Sequence, residues 1–299
     1  MKKFKVQSSK FKVQEKQLKT EELRRQKSEN RKPNSQLTTH NSPIIFGVLP
    51  VLEMLRAGNR RIEKILIAEG AHEKRLHEIL DLAKTNSIRF EKVPRGNLMK
   101  LVEEGANHQG VVAFVAAADY ADADKLFDEI VNKQNSLTVL LDGVEDPRNL
   151  GAILRTVECA GADGVFIPER RAVGLTETVA KSSAGATEYV KVAKVANINR
   201  LIDRLKENNI WVVGTSAEAE SSYTDWDWKR ASVLVLGGEG RGLHRLVAEK
   251  CDVLVKIPML GQIESLNVSV ACGVILFEAV RQRVQSSRFK VRNRLNLEL

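Results

Sequence analysis

Three short stretches of the chain carry residue types that ordinary scaffolding does not call for. The first is Asp146-Pro147-Arg148-Asn149-Leu150-Gly151-Ala152-Ile153-Leu154-Arg155-Thr156. Asn149 suits a helix cap, because its short side chain can accept from the free amides of a first turn. On a helix advancing about 100° per residue, Leu150, Ile153, Leu154 and Val157 form one stripe, and Arg155 falls roughly 140° from Leu150, almost opposite. Arg155 therefore points away from the sheet its own helix covers, to solvent or to a second subunit; taken alone, it reads as a solvated surface residue. The second stretch, Leu236-Gly237-Gly238-Glu239-Gly240-Arg241-Gly242-Leu243, follows an apolar strand. So many glycines there mean a tight turn or a backbone that comes close to a ligand. Glu239 has no packing purpose in such a loop. The third stretch runs from Ile257-Pro258-Met259 to Ser265-Leu266-Asn267-Val268-Ser269. A strand ends, a glycine loop follows, and a helix opens. Free amides at a helix start, with Ile257, Met259 and Leu266 as apolar walls, are what a base such as adenine needs; the competing reading is helix capping by Ser265.

Several other chemistries are poorly supported. No G-x-G-x-x-G follows the first strand of the larger unit, which ends in Asp142-Gly143-Val144, and there is no G-x-x-x-x-G-K-[ST], so neither a dinucleotide fold nor a P-loop is indicated. No His/Cys cluster has metal-ligand spacing and no G-x-S-x-G is present. Cys159, Cys251 and Cys272 are scattered, which fits a reducing cytoplasm. The longest nearly apolar stretch, Val268 to Phe277, is far shorter than the about 20 residues a membrane span needs, and the basic start lacks the apolar segment of a signal peptide.

The elements that must position these stretches follow from hydrophobic period. From Ser136 on, strands are expected at Thr138–Val144, Gly164–Pro168, Tyr189–Val192, Ile210–Thr215, Ser232–Gly237 and Asp252–Pro258. Helices fall between most of them, and a long helix over Ser265–Arg283 closes the domain. Near-continuous Val/Leu/Ile runs predict a parallel sheet covered on both faces. Ahead of it, a compact α/β module occupies 43–118, with helices at Phe46–Leu55, Glu73–Thr85 and Asn97–Glu104 and strands at Lys64–Ala68, Ile88–Val93 and Val111–Ala117. Residues 119–135 form a charged connecting helix or linker, and the larger second unit is 136–284.

The net charge of +9 sits in the tails. Residues 1–42 carry twelve Lys/Arg against four Asp/Glu, and 281–299 carry six against one, which leaves 43–280 at −4. Nucleic acid binding by the folded part would need local patches. Residues 1–42 read as a disordered basic tail and 285–299 as a basic C-terminal tail. Lys3-Phe4-Lys5-Val6-Gln7 recurs as Lys10-Phe11-Lys12-Val13-Gln14 and is echoed by Arg288-Phe289-Lys290-Val291. That echo favours appended low-complexity sequence over an RNA-grasping arm.

Together the three stretches resemble the motifs of the SpoU (TrmH-like) branch of the SPOUT methyltransferases. Asn149-Leu150-Gly151 through Arg155 is similar to the first motif. Gly237 through Gly240 is similar to the second, and Ile257-Pro258-Met259 with Ser265 through Ala271 to the third. Phe46-Gly47-Val48-Leu49-Pro50-Val51-Leu52-Glu53 and His108-Gln109-Gly110-Val111-Val112 resemble the family's L30e-like substrate-binding domain; His108 itself reads as a turn residue rather than an RNA contact. Within the family, the plan is most similar to bacterial enzymes that methylate a guanosine ribose of 23S rRNA. The resemblance implies a trefoil-knotted parallel α/β domain, a homodimer, and S-adenosyl-L-methionine (SAM)-dependent transfer to an RNA ribose 2′-hydroxyl with no metal. It makes Arg155 the central residue, with Asn149, Glu239, Ser265 and Asn267 orienting it and the ribose. Gly237, Gly238, Ile257, Met259, Leu266 and Thr215 would form the SAM pocket. The alternatives are the same chemistry on tRNA, or an RNA-binding protein that has lost transfer.

Overall fold

The computed structural model describes residues 43–71, 73–102 and 105–295. The expected tail over 1–42, and Glu103 and Glu104 at the end of an expected helix, lie outside the described residues.

The chain opens with a short strand, β1 (Ile44–Phe46), and Gly47, at φ +97°, turns it into α1 (Val48–Ala57). The sequence pattern runs this helix back to Phe46 instead, because three apolar residues are too few to show a period. Then come β2 (Ile62–Ala68), α2 (Glu73–Thr85), β3 (Phe90–Val93), α3 (Arg95–Met99) and β4 (Val111–Val115). Pro94, with its fixed φ, sits at the N-cap of α3 and starts it two residues before the expected Asn97. The strands pair in the order β1-β4-β2-β3, β4 running antiparallel to both neighbours. Val51, Met54 and Leu55 of α1 with Leu76, Ile79 and Ala83 of α2 cover one face; Leu98 of α3 covers the other. His108 is a turn residue, as expected. It is buried, and its Nδ1 accepts from the Gly110 amide at 3.0 Å. Burial, and then the charge of Arg95, hold its imidazole below the usual histidine range. Gln109 Oε1 accepts from the Val48 amide at the start of α1.

The stretch expected to be a connecting helix or linker holds α4 (Ala123–Val131), capped by Asp122, whose Leu126, Phe127 and Ile130 are buried. Seven strands follow: β5 (Leu137–Asp142), β6 (Val165–Pro168), β7 (Val192–Val195), β8 (Trp211–Thr215), β9 (Ser221–Ser222), β10 (Ser232–Gly237) and β11 (Val253–Lys256). They form one all-parallel sheet in the order β7-β6-β5-β10-β8-β11-β9. Between β5 and β7 lie α5 (Pro147–Cys159), α6 (Glu177–Ser182) and a 3-10 turn over Ala186–Glu188; α7 (Ile198–Glu207), α8 (Arg245–Lys250) and α9 (Val268–Leu295) follow. Alternate strand residues bury against opposite layers. Val139, Leu141, Val165, Leu234 and Leu236 meet α5 and α9, whereas Leu140, Phe166, Val212, Val233 and Val235 meet α4, α7 and α8. Several boundaries shift by a residue or two and the short β9 is not foreseen; two differences are larger. The strand expected at Tyr189–Val192 begins only at Val192, because Glu188 and Tyr189 are engaged with the first module. The closing helix starts at Val268 and runs to Leu295, so most of the stretch expected to be a C-terminal tail continues its backbone.

The first module is seated on α6 and the 3-10 turn. The Ile44 amide donates to Glu177 Oε1 at 2.9 Å, Lys181 lies over the Phe46 ring, and Tyr189 Oη donates to Glu53 Oε2. Arg60 meets Glu188 at 3.3 Å with both side chains nearly buried. Burial pushes the Glu188 carboxyl up, and Arg60 only partly opposes it. A raised carboxyl pKa favours the folded chain below the ordinary carboxylate range, and that contribution is lost as pH rises through the raised value. In thermal melts across this range, the Tm of wild type relative to Glu188→Gln should therefore fall as pH increases. A difference independent of pH would contradict the assignment.

Candidate active site

In an all-parallel sheet the carboxyl ends share one edge, and loops there are free to shape a crevice. At the carboxyl ends of β10, β8 and β11 lies a cleft of about 690 Å³, within the usual range for a small-molecule site. Thr215, Gly237, Gly238, Ile257, Met259 and Leu266, the residues expected to form the pocket, all line it, as do Glu239, Ser265 and Asn267. Ser216, Ala217 and Glu218, which follow β8, line it too. The sequence points no further than Thr215, because nothing in the types of these three marks them.

One hydrogen-bonded chain joins the three motifs. Asn149 Nδ2 donates to Glu239 Oε1 at 2.5 Å, and Asn267 Nδ2 donates to Asn149 Oδ1 at 3.0 Å. Asn267 Oδ1 in turn accepts from the Ser269 amide at 2.9 Å and from Ser269 Oγ at 2.6 Å. Asn149 is thus not the helix cap its type suggests. Asp146 caps α5, accepting from the Arg148 amide at 2.7 Å with Pro147 in the first turn, and Asn149 is buried further in. Ser265 is exposed on the cleft wall and does not cap α9, whose first turn is held by Asn267.

The glycine loop is dictated by close backbone approach. A Cβ on Gly237 would lie 2.0 Å from the Gly242 carbonyl carbon, and one on Gly238 would lie 2.1 Å from Gly143 O. Gly240 and Gly242 have φ of +78° and +66°. Asp142, buried at the end of β5, accepts from the His244 amide at 2.7 Å and lies 2.9 Å from His244 Nδ1, pinning the far end of the loop. Neither Asp142 nor His244 is among the residues singled out by sequence, although a carboxylate closing an otherwise apolar strand is the available signal. Gly151 also has a steric role: a Cβ there would come within 1.9 Å of Ser182 Oγ, so α5 and α6 touch through it.

Arg155 is exposed, as its azimuth requires, and its guanidinium has no hydrogen bond or ion pair among the described residues. It lies six residues beyond Asn149, about 9 Å along the axis, and does not line the cleft. Within one chain the structure brings Asn149, Glu239 and Asn267 together and leaves Arg155 apart from them.

A glycine-walled cleft at the carboxyl edge of a parallel sheet, joined to a smaller α/β module, has counterparts among known proteins. Residues 136–277 match the SpoU rRNA Methylase family and residues 44–121 match the substrate-binding family of RNA 2′-O ribose methyltransferases. The chain belongs to the SpoU/TrmH family of RNA 2′-O-methyltransferases. It is 44% identical over 240 residues, 80% of this chain and 95% of the other, to YacO of Bacillus subtilis (strain 168), a protein named for the TrmH family of tRNA/rRNA methyltransferases. Among solved structures it resembles the SpoU methyltransferase AviRb of Streptomyces viridochromogenes in complex with AdoMet, with TM-score 0.65 and 28% identity over 81% of this chain and 90% of that one. An AdoMet-bound rRNA methyltransferase from Sinorhizobium meliloti is similar at TM-score 0.66 and 26% identity, over 80% and 87% of the two chains.

The two kinds of glycine in the loop should behave differently. Gly237→Ala forces backbone apart and should cost about 1–3 kcal/mol or more, whereas Gly240→Ala meets open space and bears only its positive φ, about 1 kcal/mol. Urea denaturation of the two variants measures the difference, and equal destabilisation would refute the close-approach account.

Proposed function

We propose that this protein transfers a methyl group from SAM to a ribose 2′-hydroxyl of RNA, a guanosine of 23S rRNA being the preferred target, and that it acts in the cytoplasm as a homodimer. The observation that carries this reading is the Glu239–Asn149–Asn267 chain, whose two ends, Glu239 and Asn267, line a backbone-rich cleft in a SpoU-family chain.

The cleft suits SAM on its own chemistry. It offers uncharged backbone groups at Gly237 and Gly238, a hydroxyl at Thr215, and apolar walls at Ile257, Met259 and Leu266. Those six residues would hold the cofactor, which when bound supplies an electrophilic methyl group. The rest is the work of this chain's residues. A ribose hydroxyl is a poor nucleophile, so negative charge developing on its oxygen needs a stabilising partner. Arg155 can be that partner, or can fix the adjoining phosphate, but it is not a general base, since a guanidinium keeps its proton at any working pH. Another acceptor takes the proton. Asn149, Glu239, Asn267 and Ser265 orient the ribose and Arg155.

Arg155 lies outside its own chain's cleft, which is why the reading requires a second copy. Val270, Phe277 and Val284 recur every seven residues on α9 and are 50%, 50% and 44% exposed. Such spacing puts them on one helix face. A Cβ on Gly273, midway between Val270 and Phe277, would lie 3.9 Å from the side chain of Thr156, so the stripe adjoins the turn that bears Arg155. A partner covering this stripe would bring each Arg155 to the other subunit's cleft. The same reading assigns 43–118 an L30e-like RNA-binding fold and 136–284 a trefoil knot. It is supported by the order β5-β10-β8-β11, in which β10 pairs on one side with β5, far from it in sequence, and on the other with β8. The name of the Bacillus relative also keeps tRNA open as a substrate. Mapping 2′-O-methyl nucleotides in rRNA and tRNA from a deletion strain decides between the two.

Arg155→Ala should lower transfer by about 10²–10³ while SAM affinity by calorimetry and thermal stability stay near wild type; an active variant would remove Arg155 from the mechanism. Light scattering at micromolar concentration should give twice the 33.3 kDa chain mass, and Phe277→Glu should shift the mass toward monomer and abolish transfer. A fully active monomer rules out the shared site.

A further inference from the structure

Carboxylate partners are unevenly distributed over the cations of the larger domain. Toward the amino-terminal edge of the sheet they are plentiful: Lys133 pairs with Asp163, Lys191 with Glu129, Lys206 with Asp252, Lys250 with Asp203, and Lys229 and Arg230 with Asp227. At the carboxyl edge Arg245, in the first turn of α8, pairs with Glu249, but five other arginines have no such partner among the described residues. Arg148 opens α5, Arg170 and Arg171 follow β6, Arg200 lies in the first turn of α7, and Arg241 sits in the loop after β10. All five are exposed, and none has a side-chain ion pair among the described residues. Glu145 and Glu169 are exposed on the same edge without closing onto them. The strands concerned are adjacent in the order β7-β6-β5-β10. At about 4.8 Å between neighbours they carry these arginines along roughly 14 Å of edge.

The loop between β6 and α6 is the most constrained part of this rim. The Glu169 amide donates to Val195 O, the Val173 amide to Val144 O, and the Leu175 amide to Tyr120 Oη at 2.8 Å. Thr176 caps the helix that follows. Within this loop Arg171 takes a φ of +58°, a left-handed conformation uncommon for any residue but glycine, asparagine or aspartate. A rigid loop thus holds two neighbouring guanidinium groups in the open, one of them at conformational cost. The loop leads into α6, on which the first module is seated, and the rim ends at β10, whose loop walls the cleft.

We propose that this rim is an RNA-backbone track on the catalytic domain, separate from the substrate-binding module, with Arg170 and Arg171 at its centre and Arg148 and Arg200 beside them. It takes the phosphates of a single strand, in which a nucleotide can turn into the cleft without the cost of unpairing. Free guanidinium groups suit phosphate oxygens, which they grip in pairs of hydrogen bonds. Such contacts set the register of the strand and read no sequence. The track deepens the proposed activity and rests on it for its RNA partner.

The test is salt-dependent binding of the full-length protein to a fluorescently labelled oligouridylate of about 15 nucleotides, long enough for several of its phosphates to be neutralised by the protein at once. Removing one phosphate-binding cation from a single-strand complex should reduce the log–log salt slope by about 0.7, so Arg170→Gln/Arg171→Gln should be shallower than wild type by about 1.4. Its SAM affinity and Tm should be unchanged, and its KM for RNA should rise more than its kcat falls. Arg148→Gln alone should reduce the slope by about 0.7, which provides an independent reading if the double variant folds poorly. Arg204→Gln/Lys229→Gln removes the same charge from paired positions and should leave the slope as it was. An unchanged slope in the rim variants, or an equal reduction in the paired control, overturns the track. The proposed activity fails separately, if oligouridylate binds as described but no cellular RNA accepts a methyl group.

Discussion

A carboxamide donates with one end and accepts with the other, and the site depends on Asn149 doing both. Its Nδ2 reaches Glu239 in the glycine loop and its Oδ1 receives Asn267 at the start of the closing helix. These partners lie 90 and 118 residues away along the chain, so no local rule brings the three motifs together. An aspartate in its place would set a second carboxylate against Glu239, and an apolar residue would leave two polar partners unanswered in a partly buried place. Asn149 can serve both because it is not spent as a cap. Asp146 and Pro147 take over the start of α5, which frees the carboxamide to face across the sheet edge.

The second constraint is steric. Gly237 and Gly238 sit where the returning loop and the end of β5 crowd against their backbone, leaving no room for a side chain. The Asp142–His244 contact then clamps the far side of the same loop to β5. Glu239 is therefore presented from a loop whose path is fixed at both ends, which is how a residue on a glycine-rich segment can keep a defined position. Rigid elements supply the remaining geometry, in keeping with sites built on strand ends rather than on long free loops.

Much of this is legible in the amino-acid sequence. The apolar runs foretell a parallel sheet, the stripe on α5 foretells an exposed Arg155, and all the residues assigned to the pocket by resemblance do line one cleft. The departures share a cause. A three-residue strand such as β1 carries no readable period, and the expected start of β7 falls too early because Tyr189 and Val190 are good strand formers held by tertiary contacts instead. Asn149 resembles a cap because cap preference is a local statistic, while its actual partners are distant in sequence. The steric reason for Gly151 lies in Ser182 on another helix, which no reading of α5 alone could reach.

The placement of α6 draws the two halves of the molecule together. It receives the first module at Glu177 and Lys181, and presses against α5 through the missing side chain of Gly151. On the other side, α5 carries Asn149 into the cleft network and Arg155 out of it. A second close approach repeats the pattern: a Cβ on Gly185 would lie 2.4 Å from Glu53 Cβ, so the module can rest against the turn after α6 only because that position lacks a side chain. Packed interiors transmit displacement rather than absorb it. With glycine contacts on both sides of α6, the module that receives a substrate and the helix that bears Arg155 are held in one register. That register is what an enzyme needs if a nucleotide gripped by one domain is to be modified by the other.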